Sequence, residues 1–140
     1  MSWDISESPD LAACHALRRE VFIEEQGIAE PDEWDDLDDQ AVHLLATIDG
    51  VPVGTARLLT DGSTGKIGRI CVVKSQRGTG LGAALVREGI DRLSAMEGIE
   101  TIRLGAQQYA IGFYEKLGFA VCGPVYDDAG IPHSDMERPV

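Results

Sequence analysis

Arg77-Gly78-Thr79-Gly80-Leu81-Gly82 is the stretch on which the fold turns, because it joins two runs of different period. Before it, β-branched and apolar residues gather in short runs broken by Asp-Gly pairs; after it, apolar residues recur at helical spacing. Glycines at such a junction let the main chain curl around an anion, and the N–H groups opening the helix point at it. A P-loop would need a Lys-Ser/Thr pair after the glycines, and none follows. A dinucleotide loop matches nominally through Gly78, Gly80 and Ala83, but it should abut its strand in the first strand–helix unit. Here Lys74 to Arg77 intervene and three strands come first, so an NAD(P)-binding oxidoreductase is a remote alternative.

Working outward, Val42 to Ile48 and Val51 to Leu59 flank Asp49-Gly50, a hairpin signal, and a third strand runs from about Lys66 to Val73. Upstream, Trp3-Asp4-Ile5 reads as a first strand. Ser8-Pro9 reads as a cap and first helical residue, opening a helix to about Arg19. A second short helix holds Val21 to Glu25 and stops at Gly27. Downstream, Leu81, Leu85, Val86, Ile90 and Leu93 predict a helix from Gly80 to Glu97, followed by a strand over Thr101 to Leu104. Ala110, Phe113, Tyr114 and Leu117 form a second helical stripe ending at Gly118. Phe119 to Tyr126 and about Ser134 to Arg138 then make a closing strand pair. The order β-α-α-β-β-β-α-β-α-β-β is an α/β (α+β) mixed sheet with helices packed on it. No repeat, low-complexity tract or linker divides it, so residues 1–140 read as one domain.

The chain has 140 residues and a net charge of −12. Such a balance opposes unspecific binding to nucleic acid or anionic membranes. No basic-then-apolar leader opens the chain, and no apolar run approaches the roughly 20 residues that span a bilayer. Cys14, Cys71 and Cys122 are odd in number and widely spaced, so neither a disulfide framework nor a metal site is expected, and a reducing cytoplasm is the expected home. The charge is uneven: residues 1–40 hold 13 acids and 2 bases, and Glu30 to Asp39 alone carries seven carboxylates. With Pro31 and few apolar residues this segment reads as a surface loop. It either attracts a cationic amine or serves solubility. It lacks the glycine and terminal-glutamate spacing of an EF-hand.

Ile70-Cys71-Val72 followed by Arg77-Gly78-Thr79-Gly80-Leu81-Gly82 resembles the acyl-CoA signature of the GNAT acetyltransferase superfamily. Gln107, Ala110, Phe113-Tyr114-Glu115 and Leu117-Gly118-Phe119 resemble its second motif, with Gln107 standing where asparagine is usual. Val21-Phe22-Ile23-Glu24-Glu25-Gln26, the acidic loop, His43, and Gly130-Ile131-Pro132-His133 with Met136 look like the ElaA-like branch. Arg18, Phe22, the acidic loop and Arg57-Leu58-Leu59 bear a fainter likeness to acyl-homoserine-lactone synthases.

The resemblance implies a cytoplasmic enzyme moving an acetyl group from acetyl-CoA, its cosubstrate, to a primary amine by direct transfer, without a metal. Homodimers are common in that superfamily. Ile70 and Val72 would pair with the pantetheine arm, and Arg77, Gly78, Thr79, Gly80, Leu81, Gly82 and Ala83 would hold the pyrophosphate. Lys66, Arg69 or Lys74 would screen the phosphates. Cys71, Gln107, Ala110, Phe113 and Tyr114 complete the cofactor side, and Tyr114 would protonate the departing thiolate. Glu24, Glu25, His43 and His133 are the candidate bases, with a water chain as the alternative, and Cys71 reads as a packed strand thiol. The alternative in another class is a non-catalytic acyl-CoA-binding regulatory protein.

Overall fold

A computed structural model describes residues 2–8 and 10–140. Three antiparallel pairings link β1 (Asp4–Glu7), β2 (Val42–Ile48), β3 (Val51–Asp61) and β4 (Thr64–Val72). The β2–β3 turn is tight because Asp49 and Gly50 both take positive φ, 51° and 79°. After helix α3 (Leu81–Ser94), β5 (Thr101–Gln107) lies parallel to β4, and β8 (Ile131–Pro139) lies antiparallel to β5. The short strands β6 (Ala120–Val121) and β7 (Tyr126–Asp128) both pair with β8. The sheet order is therefore β1-β2-β3-β4-β5-β8-β6, with β7 off this path.

Period-two alternation puts opposite faces of the sheet against different helices. Leu44, Leu58 and Ile67 meet Leu81, Leu85, Val86 and Leu93 of α3. Leu45 and Cys71 meet Cys14 and Leu17 of helix α1 (Leu11–Arg18) on the other face, together with Val21 and Phe22. No helix among the described residues is long and apolar enough to cross a membrane.

Four details depart from the sequence reading. The cap of α1 is Asp10, whose carboxylate accepts from the Ala13 N–H at 3.1 Å, while Ser8 accepts from Asp10; Pro9 lies outside the described residues. The second helix is no separate element: α1 continues without a break as a π-helix over Arg19–Glu25, closed by Gln26 N–H to the Val21 carbonyl. The acidic segment contains a one-turn helix, α2 (Glu30–Glu33), and a 3-10 turn, Asp38–Gln40. The closing pair is three strands, because Ala129 and Gly130 make a second tight hairpin between β7 and β8.

Between β4 and β5 the sheet opens. They pair only over Thr64–Lys66 and Thr101–Arg103, yet β4 runs on to Val72 and β5 to Gln107. A bulge in β4 accompanies the opening: Arg69 sits at φ 49°, and the pairing with β3 slips by one residue between Thr55 and Arg57.

Candidate active site

The open edge of β4 is where main-chain groups lack partners. Val73 donates to the Val53 carbonyl at 2.9 Å, so Val73 and Cys71 turn their main chain toward β3. Ile70 and Val72 then turn theirs into the opening, by strand alternation. The Val72 carbonyl accepts only a side-chain bond there, 3.1 Å from Arg77 Nε.

Beyond that edge lies the glycine loop. Gly78 and Gly80 hold φ of 78° and 92°, a region closed to most side chains, which is what the turn into α3 demands. Gly80 is the N-cap of α3 and supplies no side-chain cap, so the first N–H groups of this 14-residue helix are left for a ligand. Thr79 bonds the Gln76 carbonyl at 2.6 Å and braces the loop. Leu81 is buried in the core, so only its main chain faces the loop. Helix α4 (Ile111–Glu115) closes the far side: Phe113 Cζ would lie 3.7 Å from a Cβ placed at Gly82. The two sequence motifs are thus brought into contact.

A cavity of about 320 Å³ sits in the opening, lined among others by Ile70, Gln107, Ala110, Tyr114 and His133. Ile70, Gln26, Gln107 and Tyr109 also line a second cavity that reaches Val72 and Arg77, so the two adjoin across these residues. Tyr114 packs edge-on against Phe113 and Phe119, and burial pushes its hydroxyl up to about 12. At neutral pH it keeps its proton, as a donor must. Gln107 donates to Gln26 Oε1 at 3.1 Å, tying β5 to the end of the π-helix.

Of the four candidate bases, the structure brings one to the cavity with a free ring nitrogen. His133 Nδ1 lies 2.7 Å from the Ile131 carbonyl, which can only accept, so Nδ1 is the N–H donor and the neutral ring has its lone pair on Nε2. His43 is buried, its Nε2 bonded to the Asp38 carbonyl at 2.9 Å; it braces the acidic segment from β2 and does not line the opening. Glu24 is exposed and lines neither cavity. Glu25 lines the second cavity but pairs with Arg77, whose hydrogen bond pulls its carboxyl below the usual range.

The acidic segment is not a freely solvated loop. Arg18 is 1% exposed and donates to Glu33 and Asp38, each at 2.9 Å. Arg57 reaches Asp35 and Asp38, Arg69 reaches Glu33 and Asp35, and Arg19 pairs with Glu30. Four of the seven carboxylates are therefore held by arginine, and Glu33 and Asp32 are carried to the cavity wall. Arg69 is committed to this segment, and Lys66 pairs with Asp61 at the closed end of the sheet. Of the three bases expected near phosphate, only Lys74 stands beside Arg77, where both act on Glu25. Cys71 is 4% exposed, and burial pushes its thiol up to about 12, so it is not a ready thiolate.

Sequence reasoning passed over Tyr109 and Tyr126, which line the cavity. Tyr109 lies inside the second motif, so its neighbours were its signal; Tyr126 had none.

The family model for the acetyltransferase (GNAT) domain matches residues 13–139. The chain belongs to the GNAT acetyltransferase family, and it is an acyltransferase. A Bacillus subtilis protein whose name gives it a candidate acetyltransferase activity is 42% identical over 137 residues, 96% of this chain and 92% of that one. Escherichia coli ElaA is 33% identical over 134 residues, 93% of this chain and 88% of its own. The ElaA crystal structure superposes with a TM-score of 0.85 over 98% of both chains, at 29% identity. An acyl-CoA N-acyltransferase from Pseudomonas aeruginosa gives the same TM-score and coverage at 31% identity. This GNAT chain thus carries its glycines after a fourth strand and a 3-10 turn (Lys74–Gln76), not in the first strand–helix unit of a dinucleotide fold.

Proposed function

We propose that this protein is a cytoplasmic, single-domain, acetyl-CoA-dependent N-acetyltransferase that acetylates a primary amine of a small molecule or peptide by direct transfer. The observation that carries the reading is the opening between β4 and β5. Main chain at Ile70 and Val72 that β5 does not pair leads from the glycine loop to a cavity holding Tyr114 and His133. The name of the Pseudomonas structure, an acyl-CoA N-acyltransferase, supports the acyl-CoA part.

Acetyl-CoA fits this opening: its pantetheine amides would meet Ile70 and Val72, and its pyrophosphate the main chain of Gly78 to Gly82. When bound it supplies the thioester. His133 Nε2 takes a proton from the acceptor ammonium, freeing the lone pair that forms the new N–C bond. As the C–S bond breaks, Tyr114 gives its hydroxyl proton to the sulfur, and the second proton lost by the acceptor nitrogen restores the Tyr114 hydroxyl. The products are the N-acetylated amine, CoA thiol and the proton held by His133. Cys71, protonated and buried, takes no covalent part. Asp32 and Asp128, exposed at the cavity and without arginine partners among the described residues, favour a cationic acceptor. Incubation with acetyl-CoA and a panel of amines, read by mass spectrometry and CoA release, tests the reading. Acetylated product supports it; acetyl-CoA binding without product across a broad panel overturns it.

A further inference from the structure

The odd-numbered residues of β5 and β8 form a polar ladder facing the cavity side: Gly105 stands opposite Asp135, and Gln107 opposite His133. The ladder has a gap at Gly105, and Tyr126 of β7 fills it. A Cβ built on Gly105 would lie 2.6 Å from Tyr126 Oη, a separation no real contact shows. From that seat the Tyr126 hydroxyl donates to Asp135 Oδ1 at 2.8 Å. The same ring stacks on His133, with centroids 5.8 Å apart and planes 25° from parallel. His133 is thereby held twice, by the Ile131 carbonyl at Nδ1 and by the Tyr126 face.

We infer that Tyr126, pinned by Asp135 and admitted by the missing side chain of Gly105, is a positioning residue that orients His133 toward the acceptor. The inference rests on His133 acting as the base. The Asp135 contact fixes the phenol nearly parallel to the imidazole, and the imidazole cannot swing to that side while the phenol ring stands there. A second role follows for Gly105, which has no side chain to offer chemistry: it is specified by the hydroxyl above it.

The test separates packing from positioning. Gly105→Ala is expected to displace Tyr126 and lower kcat by about tenfold, with the KM for acetyl-CoA unchanged. In the double variant Gly105→Ala with Tyr126→Phe the 2.6 Å clash is gone, since the next atoms, Asp135 Oδ1 and Tyr126 Cζ, lie at 3.7 and 4.0 Å from the new Cβ. That double variant is expected to be more active than Gly105→Ala alone, because the ring returns to its seat beside His133, and less active than wild type, because the bond to Asp135 is lost. Here kcat is taken per folded enzyme, so recovered stability alone does not produce the gain. Tyr126→Leu, which removes the stacking face, lowers kcat without moving acetyl-CoA binding measured by calorimetry. If the double variant shows no recovery, or Tyr126→Leu keeps full kcat, the positioning role is wrong. His133→Gln distinguishes the two layers of the argument. If that variant alone loses about 100-fold or more in kcat, the base stands and the fault lies with Tyr126. If it retains wild-type kcat, the base assignment itself fails and takes this inference with it.

Discussion

Arg77 of the glycine loop and Glu25 at the end of the π-helix form a two-point ion pair across the mouth of the opening, and Arg77 Nε also caps the Val72 carbonyl at 3.1 Å. The contact spans 52 positions of sequence and occupies the main-chain acceptor that the pantetheine arm would use. If Arg77 holds the pyrophosphate as proposed, an arginine so held would turn from a carboxylate to a phosphate when the cosubstrate enters.

Removing the carboxylate should ease that exchange. Both side chains are more than a third exposed, so solvent screens the pair and it is weak. Glu25→Gln is therefore expected to tighten CoA binding by up to about fivefold in titration calorimetry, with kcat unchanged. Arg77→Ala should weaken binding and flatten its salt dependence. Weaker binding in Glu25→Gln would contradict the exchange.

Tyr114 keeps its proton because burial raises its hydroxyl to about 12. In the proposed role of donor to the departing thiolate it would matter in the transition state and little to the ground state. Tyr114→Phe is expected to lower kcat by about 100-fold or more, while the Kd for acetyl-CoA moves by less than about threefold. An equal loss in both quantities would make Tyr114 a binding residue instead.

These assignments were unevenly legible in the sequence. Hairpin turns at Asp49-Gly50, the helical stripe from Leu81 to Leu93 and the glycine loop are local, so their elements could be read within one to three residues, the helix ending at Ser94 rather than Glu97. The acidic segment could not. Its seven carboxylates look alike in composition, and which ones are paired depends on Arg18, Arg57 and Arg69 arriving from α1, β3 and β4. His43 and His133 were equal as residue types, and only their burial and partners separate them. Tyr126 was invisible for the same reason, since its seat is a glycine on a strand that is not its neighbour in sequence.

The arginine-bound segment makes a stability prediction by substitution. Asp38 accepts from Arg18, Arg57 and His15, and Arg18 and Arg57 are nearly inaccessible to water. Asp38→Asn leaves buried guanidinium groups short of charge and is expected to cost about 3 kcal/mol in denaturant unfolding. Asp36, exposed and unpaired among the described residues, should cost less than about 0.5 kcal/mol as Asp36→Asn. Equal effects at the two positions would return the segment to a solvated loop.

The same network fixes how stability depends on pH. Burial raises the Asp38 carboxyl, but hydrogen bonds from Arg18 and His15 outweigh it and hold the group well below the usual carboxylate range. Asp35 behaves alike, with the Arg57 bond overcoming burial, and Glu30 is lowered by its bond to Arg19. A carboxylate depressed in the folded state binds fewer protons than the unfolded chain does, so stability rises with pH through this range. The stabilisation is fully present above the unfolded values, about 4, and is lost as pH falls through the lower folded ones. Urea midpoints should therefore be flat from about pH 7 to 5 as far as these groups contribute, and should fall steeply below about pH 4. In Asp38→Asn the acid limb should be shallower, because one of the depressed carboxylates is gone. A limb of unchanged slope in that variant would mean that acid unfolding is driven from elsewhere in the chain.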